Sequence, residues 1–523
     1  MNKERFEKLK KLLLSEKHKR NVLDFLFSMS GFVFLIVLAE IIILIQVYRN
    51  FLNYIIPIYG VILVIDIIVL LVMLQREKVN FEIRTTWAIL ILLLPLLGSL
   101  IYFYVSFDLF NRSYKKRFFK IEDDSLSYLK QDENCLKKIE NDPEILQMHT
   151  YLKNTGNTNI YDDCKVRYFE CGEKAFPVML EELKKAKKFI FIEYFIIDRG
   201  RMWDEILEIL LEKVQEGVDV RVLYDGTCDF KRLPSNYFRR LRLLGIKCYK
   251  FSPLLPIISP YYNFRDHRKF MIIDGNTAFT GGINLSDEYI NELNLYGYWK
   301  DTAVMLKGKA VRSYTLMFLQ LYSLVSNTND FSLISEDQQE YEEDGYVIPY
   351  GDVPFDKYVT GKNVYMFLLN NAKKYVYIMT PYFIVDSEIL NAIYNAALRG
   401  IDVRLILPGI PDKVSVNEIA KSKYKDLLAN NVKIYEYSDG FVHAKQMICD
   451  DDKAVVGTIN FDYRSFYHHY EDGLFLYQNS AIKDIKKDFI DTMAKSKQVD
   501  ENYKLNKFKQ LIAKILKPFE PLM

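Results

Sequence analysis

Two short stretches hold the residues best suited to chemistry. In "FRDHRKFMIIDGNTAFTGGIN" they are His267, Lys269, Asp274 and Asn284; in "FVHAKQMICDDDKAVVGTIN" they are His443, Lys445, Asp450 and Asn460. The pattern HxKxxxxD, followed by a glycine-bearing turn and an asparagine, occurs twice in a chain with only six histidines, which composition alone does not explain. The apolar run Phe270 to Ile273 reads as a buried strand, and strand side chains alternate between faces. His267 and Lys269 therefore point one way and Arg268 the other.

Such a doubled set suits substitution at a phosphodiester. Two lysines and two asparagines neutralise the oxygens that repel a nucleophile. One imidazole attacks phosphorus while the other protonates the leaving oxygen and then activates an incoming hydroxyl. No metal or cofactor is required. Glycines in "TGGIN" and "GTIN" let backbone N–H groups approach an anion, although ordinary tight turns read the same way. Asp274 and Asp450 are counted with the catalytic residues, a supporting role at the strand end being the equal alternative, since Asp274 precedes Gly275 as in a hairpin turn. His18, His149, His468 and His469 lack this context and are read as solvated or structural.

The elements that must position these residues come in two similar series. "KKFIFIEYFIID" reads as a strand, "MWDEILEILLEKVQEG" as an amphipathic helix and "VDVRVLYD" as a strand; "KKYVYIMTPYFIVD", "EILNAIYNAALRG" and "IDVRLILPG" repeat the order, with Gly217, Asp219 and Arg221 against Gly400, Asp402 and Arg404. The expected fold is α/β: two tandem halves, 150–330 and 345–500, related as a pseudo-twofold unit and joined near the acidic "ISEDQQEYEEDG".

Before them, residues 1–110 are expected to form a membrane anchor of two or three helices. Phe25 to Tyr48, Leu52 to Leu74 and Thr85 to Phe107 are each long enough to cross a bilayer core of roughly 30 Å. Glu40 and Asp66 interrupt two of them and are read as protonated or helix-paired carboxyls. Basic flanks at both ends of the region want the cytoplasm, so either one segment, the first before the others, does not span fully or one basic flank lies on the other side; the catalytic region is expected on the cytoplasmic side. Residues 501–523 alternate lysine with Leu, Ile and Phe, as in a packed terminal helix or a basic amphipathic helix lying on an anionic lipid surface, the second favoured by the expected anchor. A formal net charge of +2, from 70 basic and 68 acidic residues, argues against a protein that wraps nucleic acid. The six cysteines are scattered without metal-ligand spacing and read as reduced thiols.

The two motifs, the "IEYFIID" and "TPYF" strands, and "NFDYRSF" with "YED" resemble the phospholipase D superfamily, and closely its bacterial cardiolipin synthase branch. The likeness extends to "WAILILLLPLLGSLIYF", similar to that branch's N-terminal membrane hairpin; Phe25 to Tyr48 is additional. By this resemblance His267 is the nucleophile that carries a phosphohistidine and His443 the acid and base, although the reverse also fits the sequence. Asp301 in "WKDTAV" and Glu471 in "HYEDGL" resemble the carboxylates that hold an imidazole tautomer, each serving the opposite half. The implied activity is phosphatidyl transfer between two phosphatidylglycerol molecules, giving cardiolipin and glycerol in the cell membrane. Hydrolysis to phosphatidic acid is the alternative, a nuclease stands third, and a degenerate scaffold is disfavoured because both motifs are intact. Oligomeric state is open.

Overall fold

The computed structural model describes residues 52–76, 79–106, 109–252, 264–334 and 339–522, with four isolated positions before residue 52. The first half supplies strands β1 (Cys164–Phe169), β2 (Phe189–Tyr194), β3 (Asp219–Asp225), β4 (Lys247–Phe251), β5 (Arg265–Asp266), β6 (Lys269–Ile273), β7 (Thr277–Gly281), β8 (Tyr298–Lys300) and β9 (Ala303–Gly308). The second supplies β10 (Tyr346–Asp352), β11 (Tyr375–Met379), β12 (Phe383–Ile384), β13 (Asp402–Pro408), β14 (Lys433–Tyr437), β15 (Gly440–Val442), β16 (Gln446–Cys449), β17 (Lys453–Gly457), β18 (Phe461–Asp462), β19 (His469–Tyr477) and β20 (Ser496–Gln498).

One sheet runs β1-β9-β7-β6-β2-β3-β4; the other repeats that order as β10-β19-β17-β16-β11-β13-β14 and adds β20. The sequence repeat is thus a repeat of topology. In both, a helix, Arg201–Gln215 or Ser387–Leu398, crosses between parallel strands. Each crossover ends on a glycine at φ +89°, Gly217 or Gly400, the left-handed backbone that helix ends favour. Just beyond, Arg221 pairs with Asp219 at 2.8 Å and Arg404 with Asp402 at 2.6 Å.

The sheets share a core. Phe191, Phe270 and Ile272 of one and Ile448, Val456 and Leu474 of the other pack with helix Val311–Ser326, which is buried on nearly every side, Arg312, Ser313 and Thr315 included. Helices cover the outer faces, so the central strands are buried on both sides. Two short pairings cross between halves: β5 runs parallel to β19, and β15 parallel to β8.

The N-terminal region departs from expectation. The segment expected over 85–107 is two helices, Phe81–Leu93 and Leu97–Ser106, because Pro95 lacks a backbone donor and Leu96 turns to φ +64°. Asp66, in helix Leu52–Leu74, accepts from Ser99 Oγ at 2.5 Å and from the Leu96 N–H at 3.2 Å, so this break satisfies the buried carboxyl. Among the described residues, whose side chains in Leu52–Leu74 begin at Tyr59, no helix is long and apolar enough to cross a membrane. Glu40 and nearly all of Phe25 to Tyr48 lie outside the described residues. At the other terminus, helix Lys507–Leu516 leads into the turn Lys517–Leu522. That turn packs on Phe81–Leu93, Thr86 Oγ1 donating to Pro518 O at 2.6 Å, and a buried Lys423–Glu520 pair at 2.7 Å fixes it.

Candidate active site

Each motif histidine stands where a strand has crossed into the other half's territory. β5 lies against the start of β19, so the His267 N–H donates to Tyr470 O at 2.9 Å; β15 lies against β8, so the His443 N–H donates to Lys300 O at 2.7 Å. One residue beyond each acceptor is a carboxylate. His267 Nδ1 meets Glu471 Oε2 at 2.9 Å, and His443 Nδ1 meets Asp301 Oδ2 at 2.6 Å. Both carboxylates are fully buried and held by further donors: Thr458 Oγ1 to Glu471 Oε2 at 2.5 Å, the Thr302 N–H to Asp301 Oδ1 at 2.8 Å. Gly282 is required beside Asp301, since a Cβ there would stand 2.0 Å from Asp301 Oδ1.

With Nδ1 of each ring engaged by a carboxylate, Nε2 is the nitrogen left for chemistry. Lys269 Nζ donates to His267 O at 2.6 Å; Lys445 Nζ donates to His443 O and lies 2.8 Å from His443 Nδ1. Arg268 takes the opposite face and pairs with Glu193 at 2.8 Å. The two exchanges therefore bring both histidines, both lysines and both carboxylates to one buried region.

Burial, helped by repulsion among the cations, disfavours positive charge on the imidazoles and ammonium groups of this region. Burial first, then the Lys269 and Lys445 ammonium groups and His443, push His267 well below the ordinary histidine range. Burial and Lys445 lower His443 to about 4, against the pull of Asp301. Burial lowers Lys269 to about 8 and Lys445 to about 7, each partly offset by the carboxylates. Burial raises Asp301, but His443 and Lys445 outweigh it and keep the group ionised. The arrangement favours an anion and neutral imidazoles until an anion arrives.

The asparagines differ. Asn284 accepts from the Ile196 N–H at 3.0 Å and donates to Tyr289 OH at 2.7 Å, while Asn460 Oδ1 is buried with no hydrogen-bond partner among the described residues. Asp274 and Asp450, counted with the catalytic residues, are placed elsewhere, and that expectation is corrected. Asp274 accepts from the N–H groups of Lys187, Lys188 and Phe189 at 2.7–2.9 Å, and Asp450 from those of Lys373, Lys374 and Tyr375 at 2.7–3.0 Å. Each sits at positive φ, +52° or +55°, in the turn after its motif strand, so its carboxylate anchors the neighbouring strand's start.

His469, read as solvated or structural, is in the site. Its ring centroid is 5.4 Å from that of His267, and its Nδ1 is 3.4 Å from Glu471 Oε1. The signal was its position two residues before Glu471, on the same face of one strand. His267, His469 and Glu471 are, among the described residues, a group whose ligand atoms lie within 4.8 Å of one another. The lysines that suit a phosphate there oppose a divalent cation.

A family model described as cardiolipin synthase, phospholipase D-like domain, matches residues 179–310 and 365–493; one described as phospholipase D-nuclease N-terminal matches 58–106. An uncharacterised protein of Streptococcus mutans is 48% identical over 84% of this chain and 96% of its own. Cardiolipin synthase 2 of Bacillus anthracis is 36% identical over 84% of this chain and 86% of its own. Among solved structures, phosphatidylserine synthase of Haemophilus influenzae superposes with a TM-score of 0.56 at 16% identity, covering 72% of this chain and 97% of that one, a likeness of fold.

Proposed function

We propose, from the premise that the chain belongs to the cardiolipin synthase family of phospholipase D-like phosphatidyltransferases, that it moves a phosphatidyl group from one phosphatidylglycerol to another through a phosphohistidine. His267 Nε2 attacks phosphorus as the P–O bond to glycerol breaks, and His443 gives its proton to the departing oxygen. A second phosphatidylglycerol then enters. His443 takes its hydroxyl proton, the new P–O bond forms as the P–N bond breaks, and cardiolipin leaves with His267 restored. Lys269, Lys445 and Asn460 take the non-leaving oxygens; Asn284 positions the backbone at Ile196.

What supports this reading is that each imidazole has its Nδ1 on a buried carboxylate from the opposite half, leaving two Nε2 atoms for one phosphorus. The same set accounts for protonation. Both imidazoles are neutral in the empty site, and the phosphodiester anion offsets the lysines and lets His443 hold a proton. The apolar segments of the first 110 residues hold the site at the cell membrane as a multi-pass anchor, with the catalytic region on the cytoplasmic side. The test is product identity: purified protein in detergent with phosphatidylglycerol is expected to release cardiolipin and glycerol in equal amounts. Phosphatidic acid in place of cardiolipin refutes the transfer.

A further inference from the structure

Helix Lys507–Leu516 is inverted relative to an ordinary surface helix. Phe508, Leu511, Ile512 and Ile515 recur at the spacing that forms one helical face, yet they are 70%, 55%, 37% and 59% exposed. The side turned inward is narrow: Ala513 is buried, and Leu516 packs with Ile83 and Val416 against Ile419. Lys507 and Lys514 flank the apolar stripe on one side and Lys509 on the other, the last pairing with Glu418 at 2.6 Å. An apolar face bordered by lysines matches a layer with hydrocarbon inside and negative charge at its rim.

The surroundings continue that surface. Val414, on the neighbouring helix Val414–Ser422, is 67% exposed. The turn after the lysine-flanked helix packs on Phe81–Leu93, whose Phe81, Leu92 and Leu93 are 67%, 67% and 63% exposed. A second copy fits poorly, because its lysines would face these lysines across a twofold axis.

We infer that helix Lys507–Leu516 lies on an anionic phospholipid surface, its stripe among the acyl chains and its lysines level with the phosphates. This rests on the reading of the chain as a membrane phosphatidyltransferase and adds to it a second contact with the bilayer, made by the opposite end of the chain. The apolar stripe supplies insertion; the lysines supply preference for anionic lipid.

The six native cysteines are buried and free, so a single introduced thiol can be labelled in the full-length protein. An environment-sensitive fluorophore at Phe508→Cys or Ile515→Cys, with Gln510→Cys on the opposite side as control, is read in nanodiscs of phosphatidylglycerol and phosphatidylcholine. The 508 and 515 labels are expected to brighten several-fold over detergent-free water and to be quenched by brominated acyl chains. The 510 label stays unquenched, and omitting phosphatidylglycerol weakens the 508 and 515 signals several-fold. Labels at 508 and 515 that behave like 510 overturn the inference, as do labels shielded from water but not quenched by bromine, which report a protein neighbour. Equal signals without phosphatidylglycerol overturn the preference for anionic lipid. Cardiolipin formation, measured in the same discs, reports separately: product with unquenched labels sinks the helix contact alone, and quenched labels without product sink the activity alone.

Discussion

Replacing Asp301 by asparagine separates the two imidazoles. Asp301 is fully buried, 2.6 Å from His443 Nδ1, and Asn preserves the shape and one hydrogen bond while removing the charge that stabilises an imidazolium. Two unit charges roughly 4 Å apart at an effective dielectric of about 20 interact by about 4 kcal/mol. Allowing for the retained hydrogen bond, the loss is about 3 kcal/mol, or roughly 10²-fold in any step that needs His443 as an acid. With phosphatidylglycerol, Asp301→Asn is therefore expected to slow turnover about 10²-fold. With a p-nitrophenyl phosphodiester, whose leaving group departs unprotonated, loading of His267 is expected to fall less than about 10-fold. Glu471→Gln, acting on His267, should slow loading from both substrates alike. Rapid-quench mass measurement of the phosphatidyl-protein reads loading directly. Equal losses for Asp301→Asn on the two substrates refute the assignment of His443 as acid, and the mirror-image result exchanges the two histidines.

With Lys445 at about 7 and Lys269 at about 8 in the empty site, the charged pair is complete below these values and lost as pH rises through them. kcat/KM is expected to fall across pH 7 to 8, and Lys445→Arg to move that fall upward, seen in a pH-rate profile. Asp450→Ala removes three backbone hydrogen bonds and puts alanine at φ +55°, so about 2–3 kcal/mol of stability should be lost in a denaturant titration, with activity per folded molecule kept. The Asp450 carboxyl is held below its ordinary range by those N–H groups, which outweigh burial; its contribution is therefore present above the unfolded pKa and lost as pH falls through the folded one. Gly282→Ala forces Asp301 off His443 and should mimic Asp301→Asn in the two-substrate assay while leaving Glu471 and His267 in place.

The repeat and its chemistry were legible because local spacing carries them. HxKxxxxD survives without knowledge of the fold, and matched glycines at 217 and 400 mark the same helix end twice. The exchange of β5 and β15 was not, because Arg265–Asp266 and Gly440–Val442 are too short to signal strands and pair with partners far along the chain. Asp274 and Asp450 misled for a related reason. Motif spacing gives no backbone angle, and the positive φ at each turns the carboxylate toward the start of the adjacent strand. In the N-terminal apolar region, hydropathy overlooked the interruption at Pro95, since a window average weighs one proline against many leucines.

The crossed strands bear on how the protein is made. Translation delivers His267 long before Glu471, and Asp301 before His443, so no imidazole meets its carboxylate until β15 has emerged and docked, and His267 waits further for β19. A polypeptide broken off after the first half carries one motif histidine, His267, and one lysine of the pair, Lys269. It lacks the second imidazole that the reaction needs to protonate the leaving oxygen, so it is expected to be inert. Two halves expressed separately and then mixed are expected to form product only where each fragment lends its strand to the other.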